Sequence, residues 1–155
     1  MAAGGVRAAG GVMAEGHADY SGTPLWKKLG IASGSRVHVV SPPQDFDRLL
    51  TALAPLPPGV SFLRTRGSDL DVVVLFVTRA NDLARRFPPL VGAIGSAGRL
   101  WIAWPKKASG VATDVDDALV RRTGLEAGLV DNKTAAVSDV YQGLQFVRRL
   151  KDRPR

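Results

Sequence analysis

The residues best suited to bind a ligand come directly after an apolar, β-rich run that stops at Pro105. Four polar or small residues follow this run: Lys106, Lys107, Ser109 and Gly110. Ligands of open α/β sheets bind just beyond the carboxyl ends of the strands, where ammonium groups and loop N–H groups attract anions. The sequence therefore predicts an anion-binding loop at the end of this strand, and the plainer alternative is a solvated loop.

Two further groups of polar residues are expected at the same end of the domain. One group interrupts an apolar strand and the other precedes the first helix: Asn132 and Lys133, and Tyr20, Ser21 and Thr23. We predict that they converge with the two lysines, because the strand before Pro105 and the strand that holds Asn132 should lie near each other at the ligand-binding end of the sheet. The alternatives are a water-facing sheet edge for Asn132 and Lys133 and a simple helix N-cap for Thr23.

The remaining polar residues do not form a catalytic pattern. Ser109 has no nearby base and no Gly-x-Ser-x-Gly turn, so it does not resemble a nucleophile. His38 lies within an apolar strand and is expected to be a hydrogen-bonded core residue. The acidic residues Asp114, Asp116 and Asp117 precede a helix, whose N-terminus attracts negative charge, so capping is preferred to acid–base or metal chemistry. We therefore assign no catalytic and no metal-binding residues.

Length and composition narrow the class of protein. The chain has 155 residues, no cysteine and two histidines, His17 and His38, that lie far apart. This length suits one domain with its own core, and the composition excludes disulfides and cysteine-ligated metals. No apolar run approaches the roughly 20 residues that cross a bilayer. We therefore expect a cytoplasmic protein with no membrane partner.

The charge balance makes nucleic acid a partner that is open but not favoured. The formal net charge is +7 at pH 7, and such an excess permits binding to phosphates. The arginines are scattered along the chain, however, and no aromatic residues alternate with them to form a stacking surface. The charge is therefore compatible with nucleic-acid binding without indicating it.

The order of the predicted elements is typical of a compact, Rossmann-like three-layer α/β sandwich, with a mostly parallel sheet and a C-terminal antiparallel β-hairpin. Residues 1–19 are expected to be a disordered Gly/Ala-rich tail, 20–150 the single domain and 151–155 a basic tail. Strands are predicted at 36–40, 60–64, 71–77, 100–104, 129–137 and 144–150. Helices are predicted from an N-cap at Thr23 to Gly30, at 44–53 with Leu53 facing inward, at 81–94, and from a capping box of Thr113 and Asp116 to Gly124.

This layout resembles a trimmed methyltransferase fold. In that family the turn after the first strand is rich in glycine, whose amides approach S-adenosylmethionine, and an acidic residue after the second strand takes the ribose hydroxyls. Here the turn holds Pro42 and Pro43 without a glycine, and the second strand ends in Arg64, Thr65 and Arg66. The resemblance implies the fold without the cofactor site, and we predict no cofactor.

Several motifs together resemble a more specific group, an uncharacterised bacterial family known as the domain of unknown function DUF3052. They are residues 20–30 (YSGTPLWKKLG), 104–110 (WPKKASG), 113–114 (TD), 128–133 (GLVDNK) and 143–144 (GL). The resemblance covers about residues 20–150 and implies a small cytoplasmic α/β protein with no assigned activity. Family members often carry a cysteine and a Trp-Ser pair in the hairpin, where this chain has Ala135, Tyr141 and Gln142.

Three functions remain open from the sequence. The first, which we favour, is a non-catalytic or vestigial domain that binds an anionic small molecule or a protein partner at the carboxyl ends of the strands. The second is an enzyme with an atypical site, such as a divergent S-adenosylmethionine-dependent methyltransferase. The third is a nucleic-acid-binding protein, which would lose affinity steeply with salt.

Overall fold

The computed structural model describes residues 22–65 and 67–150, and the two predicted tails lie outside these ranges. Within them, six strands form one sheet: β1 (Arg36–Val40), β2 (Ser61–Phe62), β3 (Leu70–Phe76), β4 (Ile94–Pro105), β5 (Leu129–Ala136) and β6 (Tyr141–Arg148). The helices are α1 (Leu25–Lys28), α2 (Phe46–Leu50), α3 (Ala80–Val91) and α4 (Asp117–Glu126), and a 3₁₀ turn covers Lys107–Ser109.

The strands lie in the order β2-β1-β3-β4-β6-β5, which confirms the predicted Rossmann-like α/β class. β1, β2, β3 and β4 are parallel, and β6 is antiparallel to both of its neighbours. The two strands predicted to lie near each other, β4 and β5, are separated by one strand, because β6 pairs with β4 and places Leu144 opposite Ile102. The physical reason is burial, since residues 143–147 of β6 are buried in succession whereas residues 132–134 of β5 are exposed.

Helices cover both faces of the sheet, as the unbroken apolar run of β3 predicts. α1 and α2 cover one face, where the buried side chains include Leu25, Leu29, Phe46, Leu50, Val74 and Trp101. α3 and α4 cover the other face, where they include Leu75, Leu83, Phe87, Ile102, Val120 and Phe146. Trp101 and Trp104 therefore belong to opposite faces of the core, and His38 is a satisfied core residue whose Nδ1 lies 2.9 Å from the Leu63 carbonyl.

The first two helices, α1 (Leu25–Lys28) and α2 (Phe46–Leu50), are shorter at both ends than the sequence predicts. Pro24, not Thr23, is the N-cap of α1, and its carbonyl accepts the N–H groups of Lys27 and Lys28. α2 ends at Leu50, and Leu53 is 58% exposed instead of facing inward. The Pro-rich turn that begins at Pro55 supplies no N–H groups at its prolines, so it cannot continue the helix.

α4 differs from its predicted form at both ends. Asp116 is itself the N-cap and accepts the Leu119 N–H at 2.8 Å, so the capping box of Thr113 with Asp116 is wrong. The Thr113 hydroxyl instead donates to the Thr78 carbonyl at 2.6 Å and ties this loop to the end of β3. The helix also continues through Gly124 to Glu126, because Gly124 is needed for close packing and not as a terminator.

α3 ends at Val91 instead of Ile94, because Ile94 already pairs with Leu70 as the first residue of β4. Pro88 and Pro89 lie in the last turns of this helix, where they remove two N–H groups. The exposed carbonyl of Val91 is satisfied by Arg148, which donates to it at 2.8 Å from β6. This bond holds the end of α3 against the C-terminal end of β6.

Candidate functional site

The carboxyl ends of the parallel strands define one edge of the sheet. Ser41 follows β1, Thr78 lies just beyond β3, and Lys106 follows β4. β6 runs in the opposite direction, so its first residue, Tyr141, lies at this same edge opposite Pro105. The edge therefore combines three hydroxyl groups with the predicted lysine loop.

Lys106 and Lys107 line a cavity of about 700 Å³ at the end of β4, which we call the lysine cavity. Its other walls are Trp104, Gln142 of β6 and the segment 113–118 that leads into α4. Volumes of 300–1,000 Å³ are typical of sites for small molecules. The lysine loop predicted from the sequence thus borders a cavity of suitable size.

The three carboxylates of the lysine cavity are already bonded within the protein. Asp114 accepts the backbone N–H of Ala80 at 2.6 Å and so caps α3 from outside. Asp116 caps α4, and Asp117 pairs with Arg121. The predicted capping of α4 is therefore confirmed for Asp116, whereas Asp114 caps α3 instead, and the charge of both is partly neutralised by the helix N-termini.

The two lysines, by contrast, are not paired. Across residues 22–65 and 67–150, neither Lys106 nor Lys107 forms an ion pair with a carboxylate. Ser109 stabilises their loop, because its hydroxyl donates to the Lys106 carbonyl at 2.7 Å and accepts the Val111 N–H at 3.2 Å. Gly110 completes the turn at φ +79°, a conformation that favours glycine. The loop is therefore ordered by its own bonds and leaves both ammonium groups available to a ligand.

Asn132 and Lys133 lie on β5, separated from the lysine cavity by β6, and both are bonded inside the protein. Asn132 accepts the Gln145 side-chain N–H at 2.8 Å. Lys133 donates to the Lys28 carbonyl at 2.7 Å, at the C-terminus of α1. These bonds give both residues a structural role in addition to the predicted binding role.

Three consecutive carbonyls at the end of α1 are satisfied by side chains from the sheet. Lys133 binds the first, Trp101 Nε1 donates to Leu29 at 2.9 Å, and Arg99 donates to Gly30 at 3.5 Å. The last carbonyls of a helix have no partner within the helix, and cations there complement its dipole. α1 is a single turn, and this contact with β4 and β5 holds it in place together with the burial of Leu25 and Leu29.

Lys28 is close enough to interact electrostatically with Lys106 of the lysine cavity and with Lys133, which binds the end of α1. It is not among the site residues predicted from the sequence. Burial lowers the pKa of Lys28, and the positive charges of Lys106 and Lys133 lower it further. Burial also lowers the pKa of Lys133, with a smaller effect from Arg99. The cations of α1, β4 and β5 thus lie within electrostatic range of one another, which makes this region a favourable place for an anion.

We predict that the free energy of unfolding rises as the pH is raised from neutral toward about pH 10, in part because of Lys28. Its folded pKa is below the ordinary value of 10.5, so between the two values the folded state has released a proton that the unfolded state still binds. Lys28→Gln should flatten this rise, whereas Lys27→Gln, a change at the exposed neighbour, should not. Urea denaturation at several pH values measures the slopes, and an equal slope in both variants would contradict the prediction.

The predicted N-terminal arm is only partly described. Tyr20 and Ser21 lie outside the described residues, and Thr23 is half-buried just before α1. The structure thus brings Lys106, Lys107, Ser109 and Gly110 together at one loop and places Asn132 and Lys133 beside α1. Lys28 interacts electrostatically with Lys106 and with Lys133, and it was missed because one lysine of an exposed-looking Lys-Lys pair shows no burial signal in the sequence.

The turn after β1 departs from the glycine-rich pattern but keeps one of its conformational features. Ser41 has φ +55°, in the left-handed region that glycine prefers. Pro42 and Pro43 then contribute no N–H groups to a ligand. β2 pairs only with Arg36 and Val37, at the opposite end of β1, so no neighbouring strand lies beside Ser41 on that side. The place where a nucleoside would bind across two strand ends is therefore only half built.

Two further features are absent from residues 22–65 and 67–150. No group of three or more His, Asp or Glu side chains is arranged to hold a metal ion there. Nor does that part of the chain contain a helix long and apolar enough to cross a membrane.

Comparison with known proteins gives a fold relationship. No protein-family model matches the chain, and no curated protein sequence matches it. A methyltransferase from Aquifex aeolicus, described as dependent on S-adenosylmethionine, superposes with a TM-score of 0.54 at 12% identity, covering 79% of this chain and 86% of that one. Magnesium protoporphyrin IX methyltransferase from Synechocystis PCC 6803 with bound S-adenosylmethionine gives 0.51 at 13% identity, covering 81% and 74%.

A third solved structure agrees with these two. The ribosomal protein L11 methylase of Lactobacillus delbrueckii subsp. bulgaricus gives a TM-score of 0.52 at 10% identity, covering 81% of this chain and 75% of that one. Identities this low establish the fold alone. The chain therefore has a methyltransferase-like Rossmann fold.

Proposed function

We propose that this chain is a methyltransferase-like protein that binds an anionic small molecule in the lysine cavity and does not catalyse methyl transfer. It would then be a cytoplasmic, non-catalytic relative of the enzymes that share its fold. Its resemblance to the uncharacterised family DUF3052 is compatible with this proposal. The same residues would also bind a protein partner that presents a carboxylate or phosphate.

One observation carries the proposal. Lys106 and Lys107 border a cavity of about 700 Å³ in which all three carboxylates are bonded to helix N-termini or to an arginine. Within the described residues, the two ammonium groups have no carboxylate partner and lie beside carboxylates whose charge is partly offset by helix N-termini or by Arg121. An incoming anion would gain charge-assisted hydrogen bonds there without displacing an existing ion pair.

The test is a titration with inorganic pyrophosphate and, separately, with citrate. Binding is measured by calorimetry and by the change in fluorescence of Trp104, which lines the cavity. We predict that Lys106→Ala with Lys107→Ala weakens binding by about tenfold or more, since two charge-assisted hydrogen bonds are lost. The double variant should keep its melting temperature within error, because both lysines are peripheral to the core.

The matched control removes two charges elsewhere, at Lys27 and Arg122, which are both exposed. Lys27→Ala with Arg122→Ala should leave the affinity nearly unchanged. If both double variants weaken binding equally, the effect is one of net charge and the lysine cavity is not the site. If wild-type protein shows no saturable binding of either probe, the proposal fails.

A second candidate function, a divergent S-adenosylmethionine-dependent methyltransferase, is favoured by the structural comparisons. Two of the similar structures are described as S-adenosylmethionine-dependent or hold S-adenosylmethionine. Ser41 also adopts the left-handed conformation that a glycine-rich turn would have at this place. The Pro-Pro turn and the two-residue β2 are the features that oppose it.

Calorimetry with S-adenosylmethionine decides between the two functions. The first proposal predicts no measurable heat of binding, because the turn after β1 offers neither the N–H groups nor the close backbone approach that glycines provide. A micromolar dissociation constant, about −8 kcal/mol, would favour the enzyme and overturn our interpretation of this turn.

A further inference from the structure

A second group of polar residues lies at the carboxyl ends of β1 and β3, on the other side of the sheet edge from the lysine cavity. β2 and β3 lie on opposite sides of β1, so the direction in which strands are added to the sheet reverses between β1 and β3. The gap between the carboxyl ends of these two strands is therefore the topological switch point of the sheet. Crevices at such points are the usual ligand sites of open α/β sheets. Here the crevice holds a cavity of about 190 Å³.

Arg86 is the only arginine on the wall of this cavity, to judge from the described residues. It lies half-buried on α3 and also borders a second cavity, of about 230 Å³, beside His38. Arg86 forms no ion pair with a described residue, although Asp82 shares the wall. The Asp82 carboxylate pairs with Arg85 at 2.7 Å.

Three hydroxyl groups share the wall with Arg86: those of Ser41, Thr78 and Tyr141. None of the three donates to another residue in the described part of the chain. The Tyr141 ring is held edge-on against Phe76, with 5.1 Å between ring centroids, so its position is set by the core. Ser41 is held in the left-handed conformation that non-glycine residues adopt mainly under constraint, often at functional sites.

We propose that Arg86, Ser41, Thr78 and Tyr141 form a subsite for the phosphate group of a phosphate monoester. A guanidinium fork and three hydroxyls supply up to five donors, which exceeds the roughly four acceptor positions of a carboxylate and suits the three terminal oxygens of a phosphate. The volume of about 190 Å³ lies below the 300–1,000 Å³ of sites that enclose a whole drug-sized ligand, so only the phosphate enters. The subsite uses no residue of the lysine cavity and stands whether or not that cavity binds an anion.

The experiment is a titration of ¹⁵N-labelled protein with phenyl phosphate and, separately, with benzoate, followed through the amide signals of residues 78–83. Phenyl phosphate should produce saturable shifts there, and benzoate should bind about tenfold more weakly, since it engages fewer donors. Arg86→Gln should weaken phenyl phosphate binding by about tenfold or more, and Tyr141→Phe by a few-fold, as expected for a charged and a neutral hydrogen bond. Ser41→Gly should also weaken binding, although it relieves the backbone conformation and should not lower the melting temperature.

Arg122→Gln is the matched control, because it removes an exposed arginine from another helix. It should leave phenyl phosphate binding unchanged, as should the double variant Lys106→Ala with Lys107→Ala. Equal loss in the Arg86 and Arg122 variants, saturable binding of benzoate as tight as that of phenyl phosphate, or the absence of saturable shifts at residues 78–83 would each overturn the proposal. Retained binding at these residues in the double lysine variant separates this subsite from the lysine cavity.

Discussion

Gly124→Ala is expected to lower the free energy of unfolding by about 1–2 kcal/mol, although alanine is the better helix former. A Cβ at this position would overlap the Phe146 ring and lie 2.6 Å from its Cζ. Overpacking of a rigid core costs about 1–3 kcal/mol and sometimes more, and the gain of about 1 kcal/mol in helix propensity offsets only part of it. Phe146 is itself fully buried and packs edge-on against Phe87, so it has little room to move.

Two variants make this prediction specific. Gly92→Ala, at the end of α3, is the matched control, because a Cβ there would meet nothing closer than 4.0 Å. It should be neutral or slightly stabilising. Phe146→Leu is destabilising alone but should recover part of the loss when combined with Gly124→Ala, since the two changes act on one contact. Purely additive losses in urea denaturation would show that the overlap is not the cause.

Trp101→Phe is expected to destabilise the protein by about 3 kcal/mol, the second large effect. The Trp101 side chain is fully buried, and its Nε1–H donates to the Leu29 carbonyl at 2.9 Å. The change leaves that buried carbonyl without its donor, which costs about 1–3 kcal/mol, and adds the cost of the smaller ring. Because the same bond holds the end of α1, hydrogen exchange should accelerate at residues 25–31 before it does elsewhere.

Trp104→Phe provides the comparison. Trp104 is also buried but its indole makes no hydrogen bond to a described residue, so this change loses ring area alone. The difference between the two variants therefore measures the contribution of the bond to Leu29. Similar losses in both, with unchanged exchange of α1, would contradict the docking role of Trp101.

The fold was largely predictable because its signals are local or periodic. The continuous apolar run at 72–77 indicates a strand buried on both faces, and the structure places it at the centre of the parallel sheet. Gly30 ends α1 in a left-handed turn, as its position after a short amphipathic segment predicts. The order of the last two strands was not predictable, because both hairpin strands pair locally and only the packing against β4 selects the inner one.

The candidate site was predictable only in part. Lys106 and Lys107 are recognisable because they follow an apolar strand directly, so strand direction alone places them at the ligand-binding edge. Arg86, Thr78 and Tyr141 come from three separate elements, and their juxtaposition depends on the sheet order. The bond of Lys133 to α1 was likewise not predictable, since it joins residues that are far apart in the sequence.

The most direct test of the account is the location of a heavy oxyanion in a crystal. Anomalous diffraction from crystals soaked in tungstate would show where a phosphate-like anion binds. We predict a peak within hydrogen-bond distance of Lys106 or Lys107, in the cavity beside Trp104, that disappears in the Lys106→Ala, Lys107→Ala variant. Tungstate that leaves this cavity empty, or that occupies it equally in the double variant, would contradict the claim that the lysine cavity is an anion site.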